Sequence, residues 1–292
     1  MSKVKIADML LEIEGADTAF FDRRLAAYLT DDDRDPEAVI RSRLEETVTI
    51  PAQAARKVGD ANAYIVDLPD GTHCRYALSK DGSRALQAIY YDDTYSLSDI
   101  RLLASRRNKH FSLTDFEYMY TGSAFANRLI QNGGVVLHGS AIAYRGQGVV
   151  FTADSGTGKS THTGLWKQRF QNDVTVINDD KPALRFYEEK AVVFGTPWSG
   201  KTDINANLSA PLAAIVVLEQ APHNAIRPLT TKEAIFHLSN QINRPYYDRD
   251  SGIKTLDTIE KLIQTVPIYL LQCTISQEAV SLVHHTVFGK DA

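Results

Sequence analysis

The chain has 292 residues, 43% hydrophobic and 23% charged, which is enough to bury a sizeable core in one large domain or two smaller ones. Its 32 basic residues against 36 acidic ones leave a net charge of −4, which gives no support for a nucleic-acid or membrane-surface partner. Cys74 and Cys273 stand far apart and outside any ligand spacing, which argues against a disulfide scaffold or a cysteine zinc site. Met1 to Leu10 mixes Lys3, Lys5 and Asp8 with apolar positions, so it holds no signal-peptide core. No apolar run approaches the roughly 20 residues of a membrane span. The expectation is a cytoplasmic protein.

Residues 1–110 read as a strand-rich accessory region. Val4–Glu14 is expected as a strand and Phe20–Leu29 as a short helix. Asp31-Asp32-Asp33-Arg34-Asp35 is expected as a solvated loop, because Pro36 follows and no Gly-centred calcium pattern surrounds it. Ala63–Leu78 carries Pro69-Asp70-Gly71 in its middle, the turn chemistry of a hairpin. A further strand pair is expected through Arg84–Tyr91 and Thr94–Ser98. Nothing chemical converges in this region.

Residues 111–292 read as an α/β nucleotide-binding domain. Leu113–Gln131 has Phe116, Tyr118, Met119, Phe125 and Leu129 at helical spacing, and Asn132-Gly133-Gly134 ends it. Val135–Tyr144 is expected as a strand that turns at Arg145-Gly146-Gln147-Gly148 into a second strand. Further strands are expected at Val174–Asn178, Ala183–Phe186, Ala191–Phe194, Leu212–Leu218 and Ile268–Gln272, with helices at Thr231–Ile242, Lys254–Thr265 and Gln277–Val287.

The second strand runs into Ala153-Asp154-Ser155-Gly156-Thr157-Gly158-Lys159-Ser160, a phosphate-binding loop of the A/G-x-x-x-x-G-K-S/T type, and a helix-compatible run leaves it from Thr161 to Lys167. The glycines let backbone N–H groups point at phosphate oxygens, and the helix start adds positive charge at the same place. Lys159 is expected to neutralise the phosphates and the Ser160 hydroxyl to ligate Mg²⁺, with Ala153 to Thr161 forming the nucleotide cradle.

Nineteen residues after Ser160 stands Asp179, in Asn178-Asp179-Asp180-Lys181 at the end of an apolar strand. Two adjacent carboxylates there suit two tasks: one to hold Mg²⁺, directly or through water, and the other to accept a proton from an attacking hydroxyl. The bland alternative is a solvated turn. His138 lies one hairpin before the loop, and the hairpin could return it to the phosphate site. Gly195 to Lys201 is a second segment of interest: Lys201 has the reach for a phosphate, and Trp198 either packs on a base or peptide or anchors in the core. Lys181, Arg185 and Arg244 are alternative phosphate clamps. His162, Trp166, His223 and His237 are expected to be ordinary packing or surface residues.

The order Leu137-His138-Gly139-Ser140-Ala141, a strand pair, Ser155-Gly156-Thr157-Gly158-Lys159-Ser160 and Asn178-Asp179-Asp180 resembles the HPr kinase/phosphorylase catalytic domain over about residues 130–220. That family shares its phosphate-loop architecture with phosphoenolpyruvate carboxykinase. The resemblance implies that His138, Lys159 and Asp180 are catalytic, that Ser160 binds Mg²⁺ and Asp179 is the metal-side carboxylate, and that Asp180 deprotonates the acceptor serine. It also leans towards a homo-oligomer. Two departures stand out. The family's Glu-x-Arg-Gly-type segment is replaced by Val193-Phe194-Gly195-Thr196-Pro197-Trp198-Ser199-Gly200-Lys201, and residues 1–110 do not resemble its usual N-terminal domain. Both point towards the stand-alone HPr-kinase-like proteins, some of which phosphorylate a serine on a modified peptide.

The expected fold is thus an HPr-kinase/PEPCK-like P-loop domain behind a strand-rich N-terminal region. The expected function is Mg-dependent transfer of a nucleotide γ-phosphate to a serine hydroxyl of a protein or peptide, reversible in that family by phosphorolysis. The donor is left open between ATP, GTP and pyrophosphate. Two rivals remain: a nucleotide-gated binding module that transfers nothing, and a small-molecule kinase for a substrate such as free serine. A switch needs only one metal acid, so the second Asp is surplus to it.

Overall fold

The computed structural model describes residues 1–59, 62–200 and 202–289. The chain divides into two compact units: Met1–Gln131 with Pro245–Asp248, and Asn132–Arg244 with the chain from Arg249 onward. Each is built on a large mixed sheet, so the fold is mixed α/β. Among the described residues no helix is long and apolar enough to cross a membrane.

The first unit opens with β1 (Ser2–Ile6) and β2 (Met9–Glu14) where a single strand was expected. Ala7 and Asp8 both take left-handed φ values, 49° and 58°, the backbone of a tight two-residue hairpin, and the strands pair antiparallel with Ile6 opposite Met9. Helix α1 (Thr18–Leu25) starts on Asp17, whose carboxylate accepts the Phe20 N–H at 3.1 Å. It ends earlier than expected, and Ala26–Tyr28 form a 3₁₀ turn. Strand β3 (Ala38–Glu45) lies in a stretch to which the sequence assigned no element. Its buried face is Ala38, Ile40 and Ser42, and it lies parallel to β2.

The short β4 (Arg56–Lys57), β5 (Ala63–Asp67) and β6 (Thr72–Leu78) follow, the last two forming the expected hairpin with Gly71 at φ 82°. Next come β7 (Ala85–Asp92) and β8 (Leu97–Leu103); the latter is displaced from the expected Thr94–Ser98, sharing only Leu97 and Ser98 with it, because residues 93–96 form the turn. The eight strands run β1-β2-β3-β8-β7-β6-β5-β4. Helix α2 (Leu113–Gln131) belongs to this unit, so the division falls after Gln131 rather than at residue 110, where the sequence reading drew it.

The second unit begins with β9 (Val135–Leu137), β10 (Gly139–Tyr144) and β11 (Gln147–Thr152). The expected strand over 135–144 is interrupted at His138: β9 pairs with β13 (Ala183–Tyr187), while β10 pairs with β11 and with β12 (Val174–Asn178). Helix α3 (Lys159–Phe170) separates β11 from β12. After β13 come β14 (Lys190–Phe194), the long β15 (Ser209–Gln220), β16 (Ala225–Pro228), α4 (Thr231–Gln241), β17 (Ile242–Asn243), α5 (Arg249–Thr265), β18 (Ile268–Cys273) and α6 (Gln277–Phe288). β15 runs parallel to both β11 and β18, and antiparallel to β14. Phe151, Trp166, Val216, Val280 and Val283 close the core between this sheet and helices α3 and α6. Parallel β11 and β15 leave their C-terminal ends on the same side, and the glycine-rich loop 153–158 leaves from that edge.

Candidate functional site

The loop after β11 is held open by glycines. Gly156 and Gly158 have φ of 83° and 111°, a region that side chains rarely adopt. Gly158 is also the residue that caps α3, and among the described residues no side chain caps that helix start or places an acidic group in its first turn. The first N–H groups of α3 are therefore left to an incoming acceptor, with the helix dipole unopposed. Asp154, Ser155 and Gly156 are exposed, and so are Ser160 and Thr161 at the helix start.

Lys159 is buried and folds back over its own loop, its Nζ donating to the carbonyls of Ala153 at 2.9 Å and Asp154 at 3.2 Å. Burial pushes its ammonium below the ordinary lysine range, while Asp180, Asp154 and Asp179 pull the other way. Three carboxylates thus converge on one lysine.

Asp179 and Asp180 sit in a turn built by Asn178. The buried Asn178 amide donates to the carbonyl of Thr196 at 2.8 Å, and its oxygen accepts the N–H groups of Asp180 and Lys181 at 2.9 and 2.6 Å. Gly195 is fixed by close approach, since a Cβ there would lie 1.8 Å from the carbonyl oxygen of Ala206. Gly200 lies against Asp180, with the position of its missing Cβ 3.1 Å from the Asp180 carboxyl carbon. Trp198 is 3% exposed, so it anchors in the core, while Lys201 lies outside the described residues.

The two carboxylates have different surroundings. Asp179 is buried; its Oδ1 accepts from the Ser140 hydroxyl at 2.7 Å, while its Oδ2 is buried with no hydrogen-bond partner among the described residues. Ser140 Oγ also lies 3.1 Å from Thr163 Oγ1, which donates to the Ser160 carbonyl at 3.0 Å. Ser140 and Thr163 thereby link the Asp179 carboxylate to the start of α3. An unpartnered buried carboxylate oxygen costs more than about 1–3 kcal/mol unless a cation or donor meets it. Among the described residues, no group of three or more His, Cys, Asp or Glu could hold a metal ion by itself.

Asp180 is half-buried. Its Oδ2 meets Lys181 Nζ, and its Oδ1 is 3.6 Å from His138 Nε2. Pairing of Gly139 with Thr152 returns His138 to the mouth of the loop, where its carbonyl accepts from the Thr152 hydroxyl at 2.8 Å. The Nδ1 of His138 lies 2.9 Å from Gln241 Oε1, and Gln241 Nε2 lies 2.8 Å from Asp154 Oδ1.

A cleft of about 390 Å³ adjoins the loop, lined by Ala153 to Thr157, the end of β15 from Val217 to Gln220, Leu270, His237 and Gln241. His237 therefore lines the cleft, where the sequence suggested an ordinary packing or surface residue. His162 and Trp166 are core residues: the Trp166 indole N–H donates to His162 Nε2 at 3.2 Å, and burial pulls His162 down to about 4. Sequence reasoning missed Ser140, Thr163, Asn178 and Gln241 as functional positions. They are ordinary polar residues whose importance lies in partners 18 to 103 positions away. Only Asn178, directly before the paired Asp, carried a local signal.

Among solved structures the chain has a weak similarity to the Hpr(Ser) kinase/phosphatase from Coxiella burnetii, at 11% identity and a TM-score of 0.32, over 52% of this chain and 95% of that one. A likeness of that size carries no argument about activity. No curated protein matches the chain. The family model described as "SynChlorMet cassette protein ScmC" matches residues 118–288, a span that includes the glycine-rich loop, both aspartates, His138 and Gln241. With well over half its length under that one model, site included, the chain belongs to the ScmC family.

Proposed function

We propose that the chain is a phosphoryl-transfer enzyme of the HPr-kinase-like P-loop type, moving the terminal phosphoryl group of a nucleotide to a serine hydroxyl of a protein or peptide. The observation that carries this reading is the unpartnered, buried Oδ2 of Asp179, set beside a buried lysine and near an uncapped helix start. A phosphate and a divalent cation would together satisfy all three.

The residues fit Mg²⁺, which binds through one or two protein oxygens and takes its other ligands from water and phosphate. Asp179 and Ser160 would hold it, and it would supply neutralisation of phosphate charge. Residues Ala153 to Thr161 would cradle the phosphates through backbone N–H groups, and the Lys159 ammonium would exchange its two loop carbonyls for phosphate oxygens. The cleft beside the loop would take the nucleoside. Asp180 would accept the serine proton as the serine oxygen forms its bond to phosphorus and the bridging bond to the nucleoside diphosphate breaks. Such catalysis is positioning plus charge neutralisation.

One contact favours a non-transferring nucleotide switch instead: Lys181 engages Asp180, as a purely structural ion pair would. The test is label transfer from γ-labelled ATP to serine-containing peptides, with Mg²⁺, by wild type and Asp180→Asn. The expected result is transfer by wild type, a loss of about 10²–10⁴ in rate for the variant, and unchanged nucleotide affinity. Equal rates would remove Asp180 from the chemistry. ATP binding without transfer to any acceptor would favour the switch.

A further inference from the structure

Gln241 is the last residue of α4, and β17 begins directly after it, pairing with β9 so that Ile242 faces Leu137. That pairing brings Gln241 to His138 twice. The His138 backbone N–H donates to the Gln241 carbonyl at 2.8 Å, and the side chains meet at 2.9 Å through Gln241 Oε1 and His138 Nδ1. The other end of the amide lies 2.8 Å from Asp154 Oδ1, in the glycine-rich loop.

These contacts leave one consistent arrangement of protons. An ionised carboxylate only accepts and an amide NH₂ only donates, so the Asp154 contact decides which way round the Gln241 amide sits. Its oxygen must then face His138, and an acceptor there requires the proton on Nδ1. Which ring nitrogen of a histidine is protonated is set by the hydrogen bond the other one makes. Neutral His138 is therefore the Nδ1–H tautomer, the opposite of the form an unconstrained histidine side chain prefers. Its Nε2 lone pair faces Asp180 Oδ1 across 3.6 Å, too far for a direct hydrogen bond. The second oxygen of Asp180 is engaged by Lys181.

We infer that Gln241 is a positioning residue that sets the tautomer of His138, under the direction of Asp154, so that two acceptors face one another at the transfer site. The inference rests on the phosphoryl-transfer reading for its purpose: the gap is completed by an incoming donor, the acceptor hydroxyl. The opposite tautomer would point an N–H at Asp180 and compete with that hydroxyl for the carboxylate. Asp154 belongs to the loop, so the state of the loop and the orientation of His138 are joined through a single amide.

The test begins with nitrogen-15 NMR of the histidine-labelled, ligand-free protein, with the His138 signal assigned from His138→Gln and read at a pH where the ring is neutral. Wild type is expected to show the proton on Nδ1. Gln241→Leu should shift His138 towards Nε2–H, whereas Gln241→Glu, which keeps an acceptor, should retain Nδ1–H. A wild-type ring protonated on Nε2, or an unchanged ring in Gln241→Leu, overturns the inference. Should Gln241→Leu fail to fold, the wild-type tautomer and Gln241→Glu still decide it. In the transfer assay Gln241→Leu is expected to lower kcat about 10- to 100-fold, the usual cost of losing an orienting partner, with nucleotide KM nearly unchanged. A tautomer that shifts as expected in a protein that transfers nothing upholds the geometry and overturns the phosphoryl-transfer reading. Unchanged kcat in a tautomer-shifted variant overturns the purpose assigned to Gln241.

Discussion

At the scale of single residues, the site sets a buried lysine beside a buried carboxylate. Lys159 is buried near three carboxylates and satisfied by two loop carbonyls, while one oxygen of Asp179 is buried with no donor among the described residues. Stability and function should pull apart here. Asp179→Asn removes the uncompensated charge, so the ligand-free variant should be more stable by about 1–2 kcal/mol, read as the urea midpoint. The same variant should lose the rise in melting temperature that Mg²⁺ and nucleotide give the wild type. A less stable variant that keeps this rise would mean that Asp179 is simply structural. Lys159→Ala should weaken ATP binding about 10- to 100-fold by calorimetry, the worth of one or two charge-assisted hydrogen bonds, while the backbone cradle remains. Undiminished affinity would remove the phosphate-loop assignment. The residue types and their order were legible in the sequence, because a Gly-x-Gly-Lys-Ser loop and a paired Asp are local patterns. The unequal burial of Asp179 and Asp180 was not, because it depends on Ser140 and Thr163 from other elements.

At the scale of elements, two glycines of the second unit make opposite predictions. Gly195 follows β14, and a Cβ there would meet the Ala206 carbonyl oxygen at 1.8 Å and the Ile177 carbonyl oxygen at 2.9 Å. Both obstacles are backbone, so Gly195→Ala must displace the segment that supports Asn178 and the two aspartates. It should cost about 3 kcal/mol or more in urea unfolding, and transfer should fall with it. Gly164 is in the interior of α3 with open space around it, so Gly164→Ala should stabilise by roughly 0.5–1 kcal/mol. A tolerated Gly195→Ala, or a destabilising Gly164→Ala, would contradict this geometry. Strand and helix identities were largely legible, because alternation and helical spacing are local. Strand β3 escaped notice because its buried face includes Ser42 within an Arg-Ser-Arg run, and only its parallel neighbours β2 and β8 explain why it is a strand.

At the scale of the whole molecule, the buried His162 of the second unit and the partly exposed His73 of the first titrate in opposite senses. In the second unit burial holds His162 down to about 4, against an ordinary value of 6.5. The unfolded chain takes up this proton below about 6.5 and the folded one only near 4, so stability falls as pH is lowered through that window, by up to about 3 kcal/mol. In the first unit His73 is opposed by burial but raised overall by its hydrogen bonds to Asp93 and Asp67, both at 2.7 Å. Its contribution is present below the ordinary imidazole value and is lost as pH rises through the raised one. Urea midpoints of wild type and His162→Phe should converge between pH 6.5 and 4, because the variant lacks the acid loss. Parallel curves would place the acid sensitivity elsewhere.

The sequence alone determined the mixed α/β character of the second unit, the position of the glycine-rich loop between a strand and a helix, and the candidates Lys159, Ser160, Asp179, Asp180 and His138. All but His138 are written in neighbouring residues, as periodicity, glycine placement and a pair of acids at a strand end; His138 rested on its place one hairpin before the loop and on the family resemblance. Tertiary structure alone decided that α2 goes with the first unit, that Pro245–Asp248 returns to it from within the second, and that His138 interrupts a strand. It also decided that Gln241, 103 residues on, completes the His138 contact. The reason is physical: backbone pairing of β9 with β17 and of β10 with β11 brings these side chains together, and nothing near any one of them in the chain encodes the partner it will meet.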